Sequence, residues 1–258
     1  SGVETLIDML SDLDGIEDIT LTTNGYLLEE KALALRKAGL QRITVSLDSL
    51  DNHIFGIMNG RGYEVERILK GIDRAIEVGL DPIKVNVVVQ KGVNDHTIQD
   101  MARYFKGTGH IVRFIEYMDV GNLNDWKLNQ VVPANEIIAW IDAEMPLVPL
   151  EPNYGGEVAL RYRYCDGEGE IGVIASVTKP FCGDCTRVRL STDGKVYTCL
   201  FAELGRDLKG LLRAGSTDEG LEKEIRKLWR LREDQYSEKR ISSEVSQAPK
   251  VEMYQVGG

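Results

Sequence analysis

A repeated pattern in the first half of the chain constrains its fold more than any other feature. A helical segment ends at Gly39-Leu40, and a strand-like run begins two or three residues later; the same order recurs at Gly79-Leu80. The copies lie about forty residues apart, a length typical of successive βα units in a parallel sheet. Glycine suits both positions because it readily takes the conformation that ends a helix. The repeat therefore predicts an α/β fold with its site at the carboxyl ends of the strands.

The same alternation continues through residue 145 and then changes. Predicted helices cover residues 3–13, 28–38, 63–78, 97–105 and 134–143, and predicted strands cover residues 19–23, 43–47, 83–89 and 111–118. Three prolines and a Gly-Gly pair between Met145 and Gly156 indicate a boundary. The chain is therefore divided into two predicted domains, residues 1–145 and 146–258.

The predicted C-terminal domain has an antiparallel pattern. Alternating runs occur at 158–164 and 171–178, and Asp193-Gly194 joins 187–190 to 195–198 as a hairpin. Ser216 and Glu219 have the spacing of a capping box, which predicts a helix that extends to about residue 232. The apolar residues that this helix is expected to bury are Leu221, Ile225 and Leu228.

The overall charge limits the partners of the chain. Its 31 basic and 41 acidic residues give a formal charge of −10, which disfavours a long nucleic acid but allows a small anion where basic residues converge. Apolar runs fall short of the ~18 residues that cross a bilayer, and the first residues have no export pattern. Four cysteines, three of them clustered, are unlike a secreted disulfide framework. These features predict a cytoplasmic protein without nucleic acid or membrane partners.

Three cysteines form the most specific chemical motif of the sequence. Cys182, Cys185 and Cys199 follow a Cys-x2-Cys-x13-Cys pattern, and the predicted hairpin returns Cys199 toward Cys185. The set suits a structural zinc, with Cys165 as a fourth ligand, or a 4Fe-4S cluster that keeps one iron open to a substrate atom. From the residues alone, a zinc site and an iron–sulfur cluster are almost equally good interpretations of this motif. Cys165, within an alternating strand, is predicted to be a packed core thiol.

Four basic residues in predicted strands indicate an anion site. Arg187 and Arg189 directly follow the second cysteine and share one face of a strand, where they suit bidentate contacts with phosphate. An exposed sheet face is the alternative interpretation of this pair. Lys84 and Arg113 interrupt apolar strands, and such charges are expected to line a site when a parallel strand is covered on both faces.

Small polar residues and a methionine lie near the predicted strand ends. Thr22 and Ser46 are close to the ends of the first two strands, where a hydroxyl can hydrogen-bond a ligand. Met118 ends the fourth strand, but alternation places it on the face opposite Arg113. Both can reach one pocket only if the strand ends or bulges nearby, and that conflict stays open.

These motifs, taken in order, resemble a known enzyme family. The chain resembles the GTP 3′,8-cyclases in seven motifs. They are LTTNG at 21–25, SLDS at 46–49, KVNVVV at 84–89, RFIEYMDVG at 113–121, the cysteine–arginine run, Cys199-Leu-Phe and the terminal Gly-Gly. Those radical S-adenosylmethionine (SAM) enzymes catalyse the first step of molybdenum cofactor biosynthesis. The resemblance implies an incomplete (β/α) TIM-like barrel, followed by an antiparallel β plus helix region that carries an auxiliary 4Fe-4S cluster.

The resemblance also assigns roles to single residues. The ligands of the auxiliary cluster would be Cys182, Cys185 and Cys199. The residues that bind GTP would be Thr22, Lys84, Arg113, Arg187, Val188 and Arg189. SAM would contact Ser46 and Met118, and the tail at Gly257 and Gly258 would enter the active site as a catalytic element.

The implied reaction joins two atoms of GTP. SAM, cleaved at a second, N-terminal cluster, gives a radical that takes hydrogen from C3′ of GTP, and C3′ then attacks C8 of guanine. The product is (8S)-3′,8-cyclo-7,8-dihydroguanosine 5′-triphosphate. An electron donor and a downstream cyclic pyranopterin monophosphate synthase are the implied partners, and assembly into a homodimer is left open.

One departure from the family pattern concerns the first cluster. The family holds that cluster with a Cys-x3-Cys-x2-Cys motif, whereas this chain has no cysteine before Cys165. The chain is thus expected to correspond to a large C-terminal part of the enzyme, to bind GTP and one cluster, and to be inactive in SAM cleavage by itself. The rivals are another radical SAM enzyme with an auxiliary cluster, acting on a peptide, and a zinc-stabilised binding module without catalysis.

Overall fold

Seven strands form one mixed sheet in a computed structural model that describes residues 2–122, 125–183, 185–240 and 250–255. These strands are β1 Thr20–Thr23, β2 Arg42–Ser46, β3 Lys84–Val89, β4 Ile111–Glu116, β5 Leu147–Leu150, β6 Leu160–Tyr164 and β7 Glu170–Ile174. Their order across the sheet is β1-β2-β3-β4-β7-β6-β5. The first four strands and β7 run parallel, and β6 and β5 are antiparallel additions.

Six helices accompany this sheet and cover it with an apolar layer. They are α1 Val3–Ser11, α2 Leu28–Lys37, α3 Asn52–Asn59, α4 Val65–Glu77, α5 Ile98–Phe105 and α6 Ala134–Asp142. The stripe predicted on α4 is present, since Ile68, Ile72 and Ala75 are all buried. Gly71 allows α4 to approach α2 closely, because a Cβ there would lie 3.0 Å from Leu28 Cβ. No helix in the described part of the chain is long and apolar enough to cross a membrane.

The predicted repeat is confirmed at both of its glycines. Gly39 has a φ of 102° and Gly79 has a φ of 83°, the left-handed region that favours glycine at a helix end. The backbone N–H of Leu40 donates to Leu35 O at 3.1 Å, and Leu80 makes the same kind of bond at 2.9 Å. Both leucines are fully buried. Each copy thus ends its helix in one turn and sends the chain into the next parallel strand.

The compact units of the chain do not divide at the predicted boundary after residue 145. Unit 1 contains residues 1–117, 129–153 and 157–178, and unit 2 contains residues 118–128, 154–156 and 179–258. The proline-rich segment forms β5, with Pro149 opposite Tyr162. A proline fits there because β5 is an edge strand, where a missing N–H costs no ladder bond. Strands β5 to β7 therefore extend the first sheet.

Unit 1 matches the expected incomplete barrel. Within the described residues, β1 and β5 are the two edges of the sheet and no pairing joins them. The strand run predicted at 158–164 is present as β6, and the one predicted at 171–178 is shortened to β7. The antiparallel pattern predicted beyond residue 145 is only partly right, because β7 also pairs parallel with β4, from Val112↔Ile171 to Ile115↔Ile174.

Unit 2 contains a small antiparallel sheet and three further helices. The strands are β8 Arg189–Leu190, β9 Lys195–Tyr197 and β10 Arg206–Asp207, in the order β10-β9-β8. The helices are α7 Leu208–Arg213, α8 Asp218–Arg230 and α9 Tyr236–Lys239. The hairpin predicted at Asp193-Gly194 is confirmed: Gly194 has a φ of 82°, and its N–H donates to Ser191 O at 2.9 Å.

Two predictions for helix α8 are wrong. Thr217, not Ser216, caps it, because Thr217 is extended and its hydroxyl accepts the N–H of Gly220 at 3.2 Å. No residue of α8 is buried, although Leu221, Ile225 and Leu228 were expected to be. The buried cluster described for unit 2 consists of Tyr197 and Val251 with Leu200 and Ala202 against them, so α8 adds nothing to it.

Candidate active site

One face of the parallel sheet in unit 1 carries a continuous set of polar side chains. Residues paired across neighbouring strands lie on the same face, and on β3 the alternate residues Val85, Val87 and Val89 are buried on the other. The polar residues are Thr22 on β1, Thr44 and Ser46 on β2, Lys84 and Asn86 on β3, and Arg113 on β4. The structure therefore brings four predicted site residues of unit 1, Thr22, Ser46, Lys84 and Arg113, to one face.

Two cations lie close together on this polar face. Arg113 donates from Nε to Asn86 Oδ1 at 2.9 Å and from Nη2 to Thr44 Oγ1 at 3.4 Å, so its guanidinium lies across β3 toward β2. Burial, and then the positive charge of Arg113, lower the pKa of Lys84. A bound anion would relieve that repulsion, because it would interact favourably with both cations.

Thr44 and Asn86 belong to this face although no role had been assigned to either. Both alternate with apolar residues in short strands, and Thr44 is only 5% exposed. A polar residue inside a strand, in register with a charged one on the next strand, was the available signal. Register, however, depends on which strands pair, and that became known only from the fold.

A buried carboxylate organises the carboxyl end of β4. Glu116 is fully buried and accepts backbone N–H groups from Ala134 at 2.7 Å, Val177 at 2.7 Å and Thr178 at 2.8 Å, as well as the Thr178 hydroxyl. Its side chain thus joins β4 to the first turn of α6 and to the segment after β7. This role is structural, and it fixes the loops at the edge of the sheet where the site was predicted.

The two residues predicted to contact SAM fall in different units. Ser46 ends β2 in unit 1, and Met118 belongs to unit 2. The strand predicted to reach residue 118 stops at Glu116, where its ladder with β3 ends. Met118 is therefore outside the strand, and the conflict with Arg113 over strand faces does not arise.

Asp48 follows β2 and is held by the end of β3. Its carboxylate accepts the N–H of Val88 at 2.8 Å, while the Asn94 amide donates to the carbonyls of Asp48 and Val88, each at 2.8 Å. Burial raises the pKa of Asp48 to about 6. A carboxyl group that titrates near neutrality thus lies two residues beyond Ser46.

The cysteine–arginine run lies in unit 2 and places charge beside sulfur. Arg187 donates from Nε and Nη2 to Cys185 Sγ at 3.3 and 3.2 Å. Burial raises the pKa of Cys185, but the Arg187 backbone and guanidinium outweigh burial, so the pKa lies below its ordinary value. Burial raises the pKa of Cys199, and the charges of Asp234 and then Cys182 raise it further. Burial, and then the charge of Arg187, lower the pKa of Arg189, while Cys199 and Cys185 raise it.

The chemistry of this run fits an iron–sulfur cluster. All three sulfurs are half-buried free thiols, and the arginines would offset the charge of their thiolates. Over the described residues, no three His, Cys, Asp or Glu side chains are already grouped closely enough to hold a metal ion. The three cysteines that could hold a cluster are therefore present, but their sulfurs do not surround one point in this structure. Val188, between the two arginines, is 54% exposed.

The prediction that Cys165 is a packed core thiol is wrong. Cys165 is exposed, because β6 ends at Tyr164, which takes the buried position, and the chain then turns. Its N–H donates to Pro146 O at 2.8 Å. Cys165 belongs to unit 1 and the cysteine run to unit 2. The predicted catalytic tail, Gly257 and Gly258, lies outside the described residues.

Two family models match successive parts of the chain. The family described as the Radical SAM superfamily matches residues 2–105, and the family described as Molybdenum Cofactor Synthesis C matches residues 110–238. Among solved structures, a radical SAM methyltransferase from Sphaerobacter thermophilus shares 19% identity over 48% of this chain and 37% of its own, with a TM-score of 0.38. That likeness is too low to support an argument about the site.

Three relatives named GTP 3′,8-cyclase match nearly the whole chain. The protein of Xanthomonas campestris pv. campestris (strain B100) is 48% identical over 98% of this chain and 74% of its own. That of Acidothermus cellulolyticus is 47% identical over 98% and 76%. That of Staphylococcus epidermidis (strain RP62A) is 46% identical over 98% and 75%. With this identity over this length, the chain belongs to the GTP 3′,8-cyclase family.

Proposed function

We propose that the polar face of unit 1 and the arginine pair of unit 2 bind GTP, and that the chain takes part in its conversion to 3′,8-cyclo-7,8-dihydro-GTP. This reaction would be the first step of molybdenum cofactor biosynthesis. The observation that carries the proposal is the proximity of two cations, Lys84 and Arg113, on one sheet face in a protein of net charge −10. Lys84, Arg113, Arg187 and Arg189 would bind phosphate or nearby groups, with Thr22 and Val188 as further GTP contacts.

The cofactors of the reaction would be a 4Fe-4S cluster and SAM. Cys182, Cys185 and Cys199 would hold the cluster, and the lowered pKa of the Cys185 thiol beside Arg187 supports this assignment. Ser46 and Met118 would contact SAM. When bound, the cluster supplies an iron open to a substrate atom, and SAM supplies the radical chemistry. The chain itself would hold GTP in one orientation and exclude water around its ribose.

A polypeptide of these 258 residues is proposed to bind GTP and one cluster but to make no 5′-deoxyadenosine. The support is its cysteine count, because no cysteine precedes Cys165 and the family's first cluster needs three. An electron donor, the cyclic pyranopterin monophosphate synthase that takes the product, a homodimer and a cytoplasmic location remain part of the proposal. The catalytic role of Gly257 and Gly258 does as well.

Metal content and GTP affinity together test the proposal. After anaerobic reconstitution with iron and sulfide, about four of each per chain should be found, and Cys182→Ser should lose them. Lys84→Met should weaken GTP binding in calorimetry on the order of tenfold. Lys70→Met, an exposed lysine of α4 paired with Glu66, is the matched control and should leave it unchanged. One zinc per chain, or equal GTP binding by both variants, would contradict the proposal.

A further inference from the structure

We propose that Asn86 and Gly172 are positioning residues for Arg113, which they hold across the sheet face so that its guanidinium lies beside Lys84 and meets the phosphates. The inference rests on the proposed binding of GTP. It concerns residues that act through Arg113 and need not touch the nucleotide. The contacts of Arg113 with its neighbours on three strands carry it.

The first contact directs the side chain of Arg113 sideways. Asn86 lies directly opposite Arg113 in the ladder between β3 and β4, and its Oδ1 accepts the Arg113 Nε–H at 2.9 Å. The Nε–H and one Nη2–H of a guanidinium lie on the same edge of its plane, so the bonds from Nε to Asn86 and from Nη2 to Thr44 fix the plane of the group as well as its place. Asn86 is neutral, and it therefore orients the cation without cancelling its charge.

The second contact shows how far the side chain extends. Arg113 Nη2 donates to Thr44 Oγ1 at 3.4 Å, and Thr44 stands on β2, two strands from β4. Two strand spacings amount to about 9.5 Å, so the side chain must be extended along the sheet surface. Thr44 pairs with Lys84 in the ladder, which places the guanidinium in the row of that lysine. The lowered pKa of Lys84 agrees with this proximity.

Gly172 leaves space for the first carbon atoms of the Arg113 side chain. It lies opposite Arg113 on the other neighbouring strand, β7. A Cβ at this position would be 3.3 Å from Arg113 Cγ and 3.2 Å from Ala159 Cβ, closer than ordinary side-chain contacts. A residue larger than glycine would press on the stem of Arg113 from the side opposite Asn86. Asn86 and Gly172 together thus set the direction of one side chain.

A double-mutant cycle tests whether Asn86 acts through Arg113. We expect Asn86→Ala to weaken GTP binding roughly tenfold in calorimetry, since a hydrogen bond to a charged group has about that effect. Guanosine binding should stay unchanged, because it lacks phosphates. In the Arg113→Ala background, Asn86→Ala should have no further effect. Gly172→Ala should weaken GTP binding in the same selective way, by a smaller factor.

An NMR measurement makes the positioning visible without nucleotide. The Arg113 Nε–H signal should exchange slowly with water in the parent chain and much faster in Asn86→Ala. Val87→Ala is the matched control, because Val87 lies on the same strand but faces the core. It should lower the melting temperature yet leave both GTP affinity and the Nε–H signal as they are.

Three outcomes would overturn the inference, and they differ in what else they affect. Additive effects of Asn86→Ala and Arg113→Ala would mean that Asn86 contacts GTP itself. Loss of affinity in Arg113→Ala but not in Asn86→Ala would remove the positioning role while leaving the proposed function in place. Unchanged GTP binding in Arg113→Ala would refute the phosphate assignment of Arg113, and with it the inference.

Discussion

At the scale of single residues, Asp48 shows how burial changes chemistry at the edge of the sheet. The backbone N–H of Val88 gives its carboxylate one hydrogen bond, but burial dominates and raises the pKa to about 6. In the unfolded chain the same group titrates near 4. Between these two values the folded state therefore binds more protons than the unfolded state, and the free energy of unfolding falls as pH rises.

The variant Asp48→Asn should remove this pH dependence. Asparagine keeps an oxygen acceptor for the Val88 N–H and cannot ionise, so the variant should be more stable than the parent above pH 6, by about 3 kcal/mol. Below pH 4 the two chains should have nearly equal stability. Urea denaturation at pH 4, 5, 6 and 8 measures the difference. A variant that is less stable than the parent at pH 8 would contradict a raised pKa.

At the scale of secondary-structure elements, Glu116 shows how one side chain fixes three segments. The end of β4, the beginning of α6 and the segment after β7 all depend on its carboxylate. Because the group is fully buried, water cannot replace it as an acceptor. The geometry of the loops at this edge therefore depends on a residue outside the polar face.

Glu116→Ala should destabilise the fold strongly, because it leaves the buried N–H groups of Ala134 and Val177 and the partly buried N–H of Thr178 without an acceptor. Each such group costs about 1–3 kcal/mol, so a loss of roughly 4 kcal/mol in the free energy of unfolding is expected. Glu116→Gln, which keeps one oxygen, should lose about half as much. Chemical denaturation gives both values. A loss below about 1 kcal/mol for the alanine variant would show that the backbone finds other partners.

At the scale of the whole molecule, each unit also joins segments that are far apart in sequence. In unit 2, the Asp119 carboxylate accepts the Tyr236 hydroxyl, Arg240 Nε at 2.7 Å and Lys250 Nζ at 2.8 Å. Phe201 stacks on Tyr236 with their centroids 4.4 Å apart. These contacts bring the segment 250–255 next to the chain that follows Cys199, and Asp119 is their common partner.

Lys250→Met should loosen the segment 250–255 while unit 2 stays folded. The Val251 N–H donates to Ala202 O at 3.0 Å, so its hydrogen exchange reports on this attachment. Exchange on the order of tenfold faster is expected, since the lysine bonds to Asp119 in a partly buried setting. Lys223→Met, an exposed change on α8, is the matched control. Unchanged protection of Val251 would show that Asp119 does not hold the segment.

The sequence predicted those parts of the fold that depend on local patterns. Two helix C-termini, at Gly39 and Gly79, and the hairpin at Asp193-Gly194 depend on local sequence, and all three occur at their predicted positions. The place of β7 beside β4 depends on a long-range pairing, so local patterns could not show that β5 to β7 extend the first sheet. The exposure of Cys165 is not predictable for a related reason, since alternation does not show where a strand ends.

The candidate site was predictable in part for the same reasons. Alternation located Lys84 and Arg113 on strands, but their common face with Asn86 required the register of β3 and β4. The cysteine run was recognisable from its spacing alone. The contact between Arg187 and Cys185 was not, because it depends on side-chain conformation and not on spacing.

The most direct test of the account is a series of affinities for guanosine, GMP, GDP and GTP, measured by calorimetry on the anaerobically reconstituted chain. If the cations of the polar face bind phosphate, affinity should rise with each added phosphate. In Arg113→Met that rise should be much shallower, while the affinity for guanosine should not change. Equal affinity for all four ligands, or the same rise in both proteins, would contradict the account.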